Sequence, residues 1–372
     1  MFPSTSPETG RDPWADGARP GQPRPPRGVA PHGRSVVPTQ DGGPAPDPAY
    51  EPDGGAEPGR RRERGGGRAT RRGRDRGPEA TAGGEAEDAG RDDEVEPTPV
   101  RRPLSVAIAG FAGLLSIGLI FGAQTAGPGA ARVPFAVVVF GVQVLFVLAW
   151  TMAIRPPALP VVAGVSILVA GAADMAAVMP QVAALAPLGY VAAAGFVAGV
   201  IGQLVRPHDR ARVTDSLGST LLIMVGVVSF GTLIVLSRIP VGTQAIFVSL
   251  AATGVALVVA RLADAVMPWP RLAPQVARGA AGVVLGAMVG TLTSAIIGIY
   301  LVGFTPTSGA VVGLVAAGTA VLADLAVGYA EAGRQMAGEP PTMWVARHMQ
   351  GPLGGFALAA PVAYAISVLF LN

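Results

Sequence analysis

The sequence predicts an all-α polytopic membrane protein of about nine transmembrane helices, with a cytoplasmic N-terminus and a long disordered tail before the first span. Three observations predict it. Only 14% of the 372 residues are charged and 50% are hydrophobic, with mean hydropathy +0.46, whereas soluble domains are about a quarter charged. The charge is segregated: residues 1–102 hold 17 of the 28 arginines and 18 of the 25 acidic residues, and contain no Leu or Ile. Beyond them come nine apolar stretches of the ~20 residues needed to cross a ~30 Å hydrocarbon core at 1.5 Å per residue.

The chain therefore divides into a tail, 1–102, and a transmembrane helical bundle, 103–372. The tail is rich in Pro and Gly, and its only aromatics are Phe2, Trp14 and Tyr50. Such a chain cannot bury enough apolar area to offset an ordering cost of roughly 1–2 kcal/mol per residue. No apolar signal-peptide core precedes Leu104, and Phe2 and the absence of Cys do not support lipidation. A basic run spans Arg60–Arg76, and an acidic run follows at Glu85, Glu87, Asp88, Asp92, Asp93, Glu94 and Glu96. The basic run can lie on anionic lipid at about 1 kcal/mol per Arg; alternatively the two runs screen each other in solvent.

The expected spans are 104–123, 134–153, 158–179, 183–205, 217–237, 244–260, 280–303, 309–330 and 353–371. They show no strand alternation, and in hydrocarbon the backbone must satisfy its own hydrogen bonds, so they are helices. With the N-terminus inside, Arg101, Arg102, Arg155, Arg206, Arg210, Arg212, Arg261, Arg271, Arg278, Arg334 and Arg347 fall on the cytoplasmic side, and only Arg132 and Arg238 outside. Gly282, Gly286 and Gly290 form a stripe on the seventh span, and Gly309/Gly313, Gly195/Gly199 and Gly118/Gly122 repeat its spacing. Such stripes let helices approach closely, within one bundle or between two chains.

Two carboxyls lie inside spans: Asp174 in the third and Asp324 in the eighth. Each costs at least ~2.5 kcal/mol at mid-bilayer unless it is partnered. Asp264 is read as capping the inner end of the sixth span. No Arg or His falls inside any expected span, so a partner must reach in from a loop; Gln143, Gln203, Thr291, Thr293 and Ser294 are the polar neighbours within the spans. Two cytoplasmic loops are the richest, 261–279 with Asp264, Arg271 and Arg278, and 331–352 with Glu331, Arg334, Glu339, Arg347 and His348. Arginines beside carboxylates can hold a phosphorylated head group, although cytoplasmic loops gather Arg in any case.

All 28 basic residues are Arg, and there is no Lys or Cys. This excludes disulfides, thiolate catalysis, lysine Schiff bases and the Walker phosphate lysine. His32, His208 and His348 are scattered, without metal-ligand spacing. No cofactor and no nucleic-acid partner are expected; membrane lipids are. The lysine-free, Ala-, Gly-, Pro- and Arg-rich composition suggests a GC-rich bacterial gene and hence the bacterial cytoplasmic membrane.

Residues 255–372 resemble the phosphatidate cytidylyltransferases (CDP-diglyceride synthases). Val258–Ala265, ending Arg261-Leu262-Ala263-Asp264, is similar to that family's span closing on an Asp. Arg271-Leu272-Ala273-Pro274 with Arg278-Gly279 resembles its loop, Ala323-Asp324-Leu325-Ala326 the start of its G-D-L-x-E-S, and His348 with Ala359-Ala360-Pro361-Val362 its last segment. The resemblance implies a polytopic enzyme using CTP and Mg²⁺ at the cytoplasmic face. The chemistry-bearing positions depart from it. Gln275, Val276 and Arg278 stand where Lys, Thr and Glu are expected. Val327 and Gly328 replace Glu and Ser, Glu331-Ala332 replaces Lys-Arg, and Leu353-Gly354-Gly355-Phe356 replaces the terminal D-R-x-D. A metal–triphosphate site needs several carboxylates and cations, so the expectation is a degenerate, catalytically inactive relative that binds lipid or regulates a partner. Its candidate polar cluster is Asp264, Arg278, Asp324, Glu331 and His348. The alternatives are a secondary transporter using Asp174 and Asp324, or an active phospholipid-synthesis enzyme with a site rebuilt from Asp264, Asp324, Glu331, Glu339 and His348.

Overall fold

The structure, a computed structural model, describes residues 99–205, 213–340 and 342–370. The Arg60–Arg76 and Glu85–Glu96 runs, His32, and the loop with Arg206, His208, Arg210 and Arg212 lie outside the described residues. Those described contain no β-strand and form α1 (Arg102–Gln124), α2 (Val133–Ile154), α3 (Leu159–Val178), α4 (Ala186–Leu204), α5 (Val213–Leu236), α6 (Gly242–Val266), α7 (Ala280–Tyr300), α8 (Pro306–Met336) and α9 (Trp344–Phe370). Each of these nine is long and apolar enough to cross a membrane. Five open with Pro in the first turn (α1, α2, α3, α4 and α8), where the missing N–H has no intrahelical partner to lose. On α8 a capping box joins Thr305 and Ser308, the Ser308 N–H donating to Thr305 Oγ1 at 3.1 Å.

α9 is the seam of the bundle: it packs on α1, α6 and α8 on one side and on α2 and α5 on the other. α6 lies against α1, α7 and α8, while α3 joins α2, α4 and α5. The packing of α7 is inverted relative to a soluble protein. On α7 the buried residues are Gly282, Gly286, Gly290, Ser294 and Gly298, and Val284, Leu285, Met288, Leu292, Ile296 and Ile299 are exposed. Small residues inside and large apolar ones outside are what a lipid solvent selects, because lipid offers no hydrophobic drive and close backbone approach must hold the helices together.

The Gly282–Gly290 stripe is taken up within the chain. A Cβ at Gly282 would lie 2.8 Å from the Ala260 carbonyl, at Gly286 2.5 Å from that of Ala256, and at Gly290 2.6 Å from that of Ala252. The stripe therefore faces α6 and is closed to a second copy. Gly309 and Gly313 meet Ser294 in the same way, Gly195 meets Val169, and Gly199 meets Thr220.

Three helix ends differ from the hydropathy reading by six residues or more. α6 runs six residues past 260, α8 six past 330, and α9 starts nine before 353. An apolar window stops at the first charged residues, whereas backbone hydrogen bonding does not depend on side-chain polarity. α9 also runs through Pro352; proline removes one N–H, and membrane helices tolerate the loss where neighbours pack around it.

At the end opposite the N-terminus of α1, the two arginines expected outside secure the end of α3. Arg238 donates to the carbonyls of Ala177, Pro180 and Gln181, and Arg132 to that of Val178 at 3.3 Å. Cations on terminal carbonyls also complement the helix dipole.

Gly286→Leu is expected to destabilise the bundle by about 3 kcal/mol through overpacking against α6. Gly110→Leu, at a site with nothing within 4 Å of an added Cβ, should stay within about 0.5 kcal/mol of wild type. Denaturant unfolding of the two variants in one detergent checks the contrast; equal losses would show that the stripe is not a packing seam.

Candidate functional site

The cluster forms where the polar extensions of α6, α8 and α9 converge with the α6–α7 loop. That loop folds back on itself: Arg271 and Gly279 form an isolated antiparallel bridge, and the Ala280 N–H donates to the Pro270 carbonyl at 2.8 Å. The fold-back turns the Arg278 side chain inward. Its Nε donates to Asp264 Oδ2 at 3.0 Å, and its Nη1 pairs with Asp324 Oδ2. Asp324 Oδ1 is held by Arg261 Nη2, and Asp264 Oδ1 accepts the Gly279 N–H at 2.9 Å. Two aspartates and two arginines thus form one electroneutral chain, Asp264–Arg278–Asp324–Arg261. Asp264, Arg278 and Asp324 are at most 3% exposed.

Asp264 is not a cap, as the sequence reading has it. It sits inside α6, and its partners come from the following loop. Arg261 and His348 likewise prove to be helical, on α6 and α9. The expected 331–352 loop shrinks to the short link between Met336 and Trp344, with Glu331 and Arg334 on α8 and Arg347 and His348 on α9. That Asp324's partner must enter from a loop holds for Arg278. Arg261 was missed as a partner because it stands one residue beyond the expected span end. Its signal was its position three residues before Asp264, on the same helix face.

Glycines roof both carboxylates. A Cβ at Gly282 would lie 2.5 Å from Asp264 Oδ1, and one at Gly351 would collide with Asp324 Oδ1. α7 and α9 can pass this close only because these positions are bare. Burial alone would lower the pKa of Arg278, but Asp324 and Asp264 outweigh it and hold the guanidinium above its ordinary value. Arg278 is therefore a permanent cation.

Beside the cluster opens a cavity of about 340 Å³ lined by Arg101, Arg261, Arg278, Arg347, His348 and Glu331, with the α1 start, α8 and α9 completing the wall. Four of its lining groups are guanidinium cations, and the one carboxylate, Glu331, is bonded to Arg334 at 2.6 Å and to Arg347 at 2.9 Å. Three buried nitrogens on this wall have no hydrogen-bond partner: Arg261 Nε, Arg278 Nη2 and His348 Nε2. Comparison with known proteins finds no matching family model, curated protein or solved structure. The site is therefore read from its own chemistry.

That chemistry is cationic. Of the five expected cluster residues, Asp264, Arg278 and Asp324 are joined directly, while Glu331 and His348 line the same cavity. Glu339 lies apart, on a second small cavity with Glu331, Arg334 and Arg347. Among the described residues no three His, Asp or Glu side chains are grouped to hold a metal ion. Asp174 belongs elsewhere: it bonds Gln143 on α2 at 2.9 Å, in the α2–α3–α5 group, so the two intramembrane aspartates do not share a site.

Asp324→Ala leaves Arg261 without a carboxylate and Arg278 with Asp264 alone, and should cost about 3 kcal/mol. Arg334→Ala, which removes a half-exposed pair, should cost no more than about 1 kcal/mol. Comparing unfolding midpoints in detergent checks the ratio.

Proposed function

We propose that this chain is a catalytically silent multi-pass membrane protein that holds an anionic, phosphate-bearing lipid head group in the arginine-lined cavity. The observation that carries the reading is the set of unpartnered buried nitrogens on that wall. A buried guanidinium N–H without an acceptor costs about 1–3 kcal/mol or more, and a phosphate oxygen is the acceptor best matched to arginine. A head group is favoured over a free anion because the cavity wall is built from helices that continue into the bilayer.

The likeness to the cytidylyltransferase scaffold remains a proposal carried by residues 255–372 alone. The loss of activity is supported by how the carboxylates are used. Every oxygen of Asp264 and Asp324 accepts from an arginine or a backbone N–H, so Mg²⁺ would have to compete with these bonds and with the arginine charges beside them. We place the protein in a bacterial cytoplasmic membrane with this cavity on the cytoplasmic side, supported by the lysine-free composition and the arginine asymmetry.

Full-length protein in neutral-lipid nanodiscs should bind short-chain phosphatidic acid but not short-chain phosphatidylcholine. Arg101→Gln and Arg347→Gln should each weaken binding roughly tenfold, the equivalent of one charge-assisted hydrogen bond. Equal binding of the two lipids would overturn the reading. Binding of inorganic phosphate with the same affinity would reassign the cavity to a soluble anion. With CTP, Mg²⁺ and phosphatidic acid, pyrophosphate release should stay at background. A reporter fused at the N-terminus should read cytoplasmic; a periplasmic signal would invert the assignment of faces.

A further inference from the structure

The second intramembrane carboxyl lies away from the arginine cavity and is independent of its reading. Asp174 sits on α3, one turn before the helix ends at Val178. It is 6% exposed, and its partner Gln143 on α2 is fully buried. Gln143 Nε2 has two hydrogens, and both are committed: one to Asp174 Oδ1 at 2.9 Å, the other to the Val227 carbonyl of α5 at 3.0 Å. The Val227 carbonyl is an acceptor in any assignment, so the amide nitrogen must face it. Two acceptors are then left over, Gln143 Oε1 and Asp174 Oδ2, each buried and without a partner.

This pair is therefore short of donors. As a carboxylate, Asp174 would keep both oxygens as acceptors and a full negative charge with no cation bonded to it, in surroundings where unpaired charge is costly. The charged and titratable groups on the elements packed against α3 do not relieve it. Arg132 before α2 and Arg238 after α5 donate to the carbonyls of 177–181 and not to Asp174, with Arg238 Nε left without a partner. Tyr190 on α4 points outward, and Arg155 and Asp215 flank the opposite ends of α2 and α5. A single proton on Oδ2 removes the charge and turns a surplus acceptor into the missing donor.

We propose that Asp174 and Gln143 form an intramembrane proton-binding site, in which Asp174 is carried as the neutral carboxylic acid and Oδ2–H supplies the hydrogen bond that Gln143 Oε1 lacks. The ligand is a proton. The site joins α2, α3 and α5 within one turn of the α3 end that Arg132 and Arg238 secure, so uptake or release of the proton changes the bonding of three helices at once.

Infrared spectroscopy of the full-length protein in nanodiscs tests this. The wild-type minus Asp174→Asn difference spectrum at neutral pH should show the C=O stretch of a protonated carboxyl and no carboxylate doublet. Asn suits the comparison because its amide N–H replaces the acid O–H. A carboxylate doublet would overturn the proposal, and a doublet that depends on sodium would reassign the site to a metal cation. Should Asp174→Asn fail to fold, Gln143→Leu gives the second reading: the protonated-carboxyl band should shift as its hydrogen bond to the amide is lost, and an unshifted spectrum would count against the pair.

Discussion

Charge inside a bilayer must be neutralised within bonding distance, and the Asp264–Arg278–Asp324–Arg261 chain is where this bundle meets that requirement. An isolated ion moved from water to a dry interior costs of order 20 kcal/mol by the Born argument, so no member of the chain can stand alone. The rest of that end follows. The α6–α7 loop folds back to bring Arg278 in, Gly282 and Gly351 leave room over the carboxylates, and α6 runs beyond its apolar stretch to carry Arg261 and Asp264 together. The net gain in stability from such a cluster is modest. What it secures is register, since sliding α8 by one turn along α6 would break both bonds to Asp324.

The number, order and approximate bounds of the spans were legible because twenty-residue apolar runs leave few alternatives in lipid. What was illegible lay at the polar ends. A hydropathy window cannot see that α8 continues to Met336 or that α9 begins at Trp344, because charged residues end the apolar signal without ending the helix. The site was lost in the same blind zone. Asp264, Arg278, Asp324, Glu331 and His348 were identifiable as rare polar groups near one face, but their pairing depends on a loop fold-back and on two bare glycines. Gly351 carried no pattern of its own; its role appears only when α9 is seen to cross Asp324. Asp174 and Gln143 were each visible, and that they meet is a matter of helix rotation.

The two ends of the bundle use arginine differently, and the difference bears on function. Arg132 and Arg238 donate to the carbonyls that close α3, and of the buried nitrogens there Arg238 Nε is left without a partner. At the other end the guanidiniums face carboxylates on one side and an open cavity on the other, with donors left over. A cluster that is neutral within itself yet leaves buried N–H groups of its cavity-lining arginines unsatisfied still lacks an acceptor.

On the proposed reading, metal ligation and anion binding compete for the same arrangement. For Asp324 to ligate a divalent cation, that ion would have to sit beside Arg261 and Arg278 and compete with their bonds, with only Asp264 left to compensate Arg278. With the carboxylates held, the same guanidiniums keep their remaining donors fixed and dry, which is the condition under which a phosphate oxygen is bound best. On the proposed reading, the arginine at position 278 does two things by one placement: it disfavours Mg²⁺ at the carboxylates and favours an anion beside them.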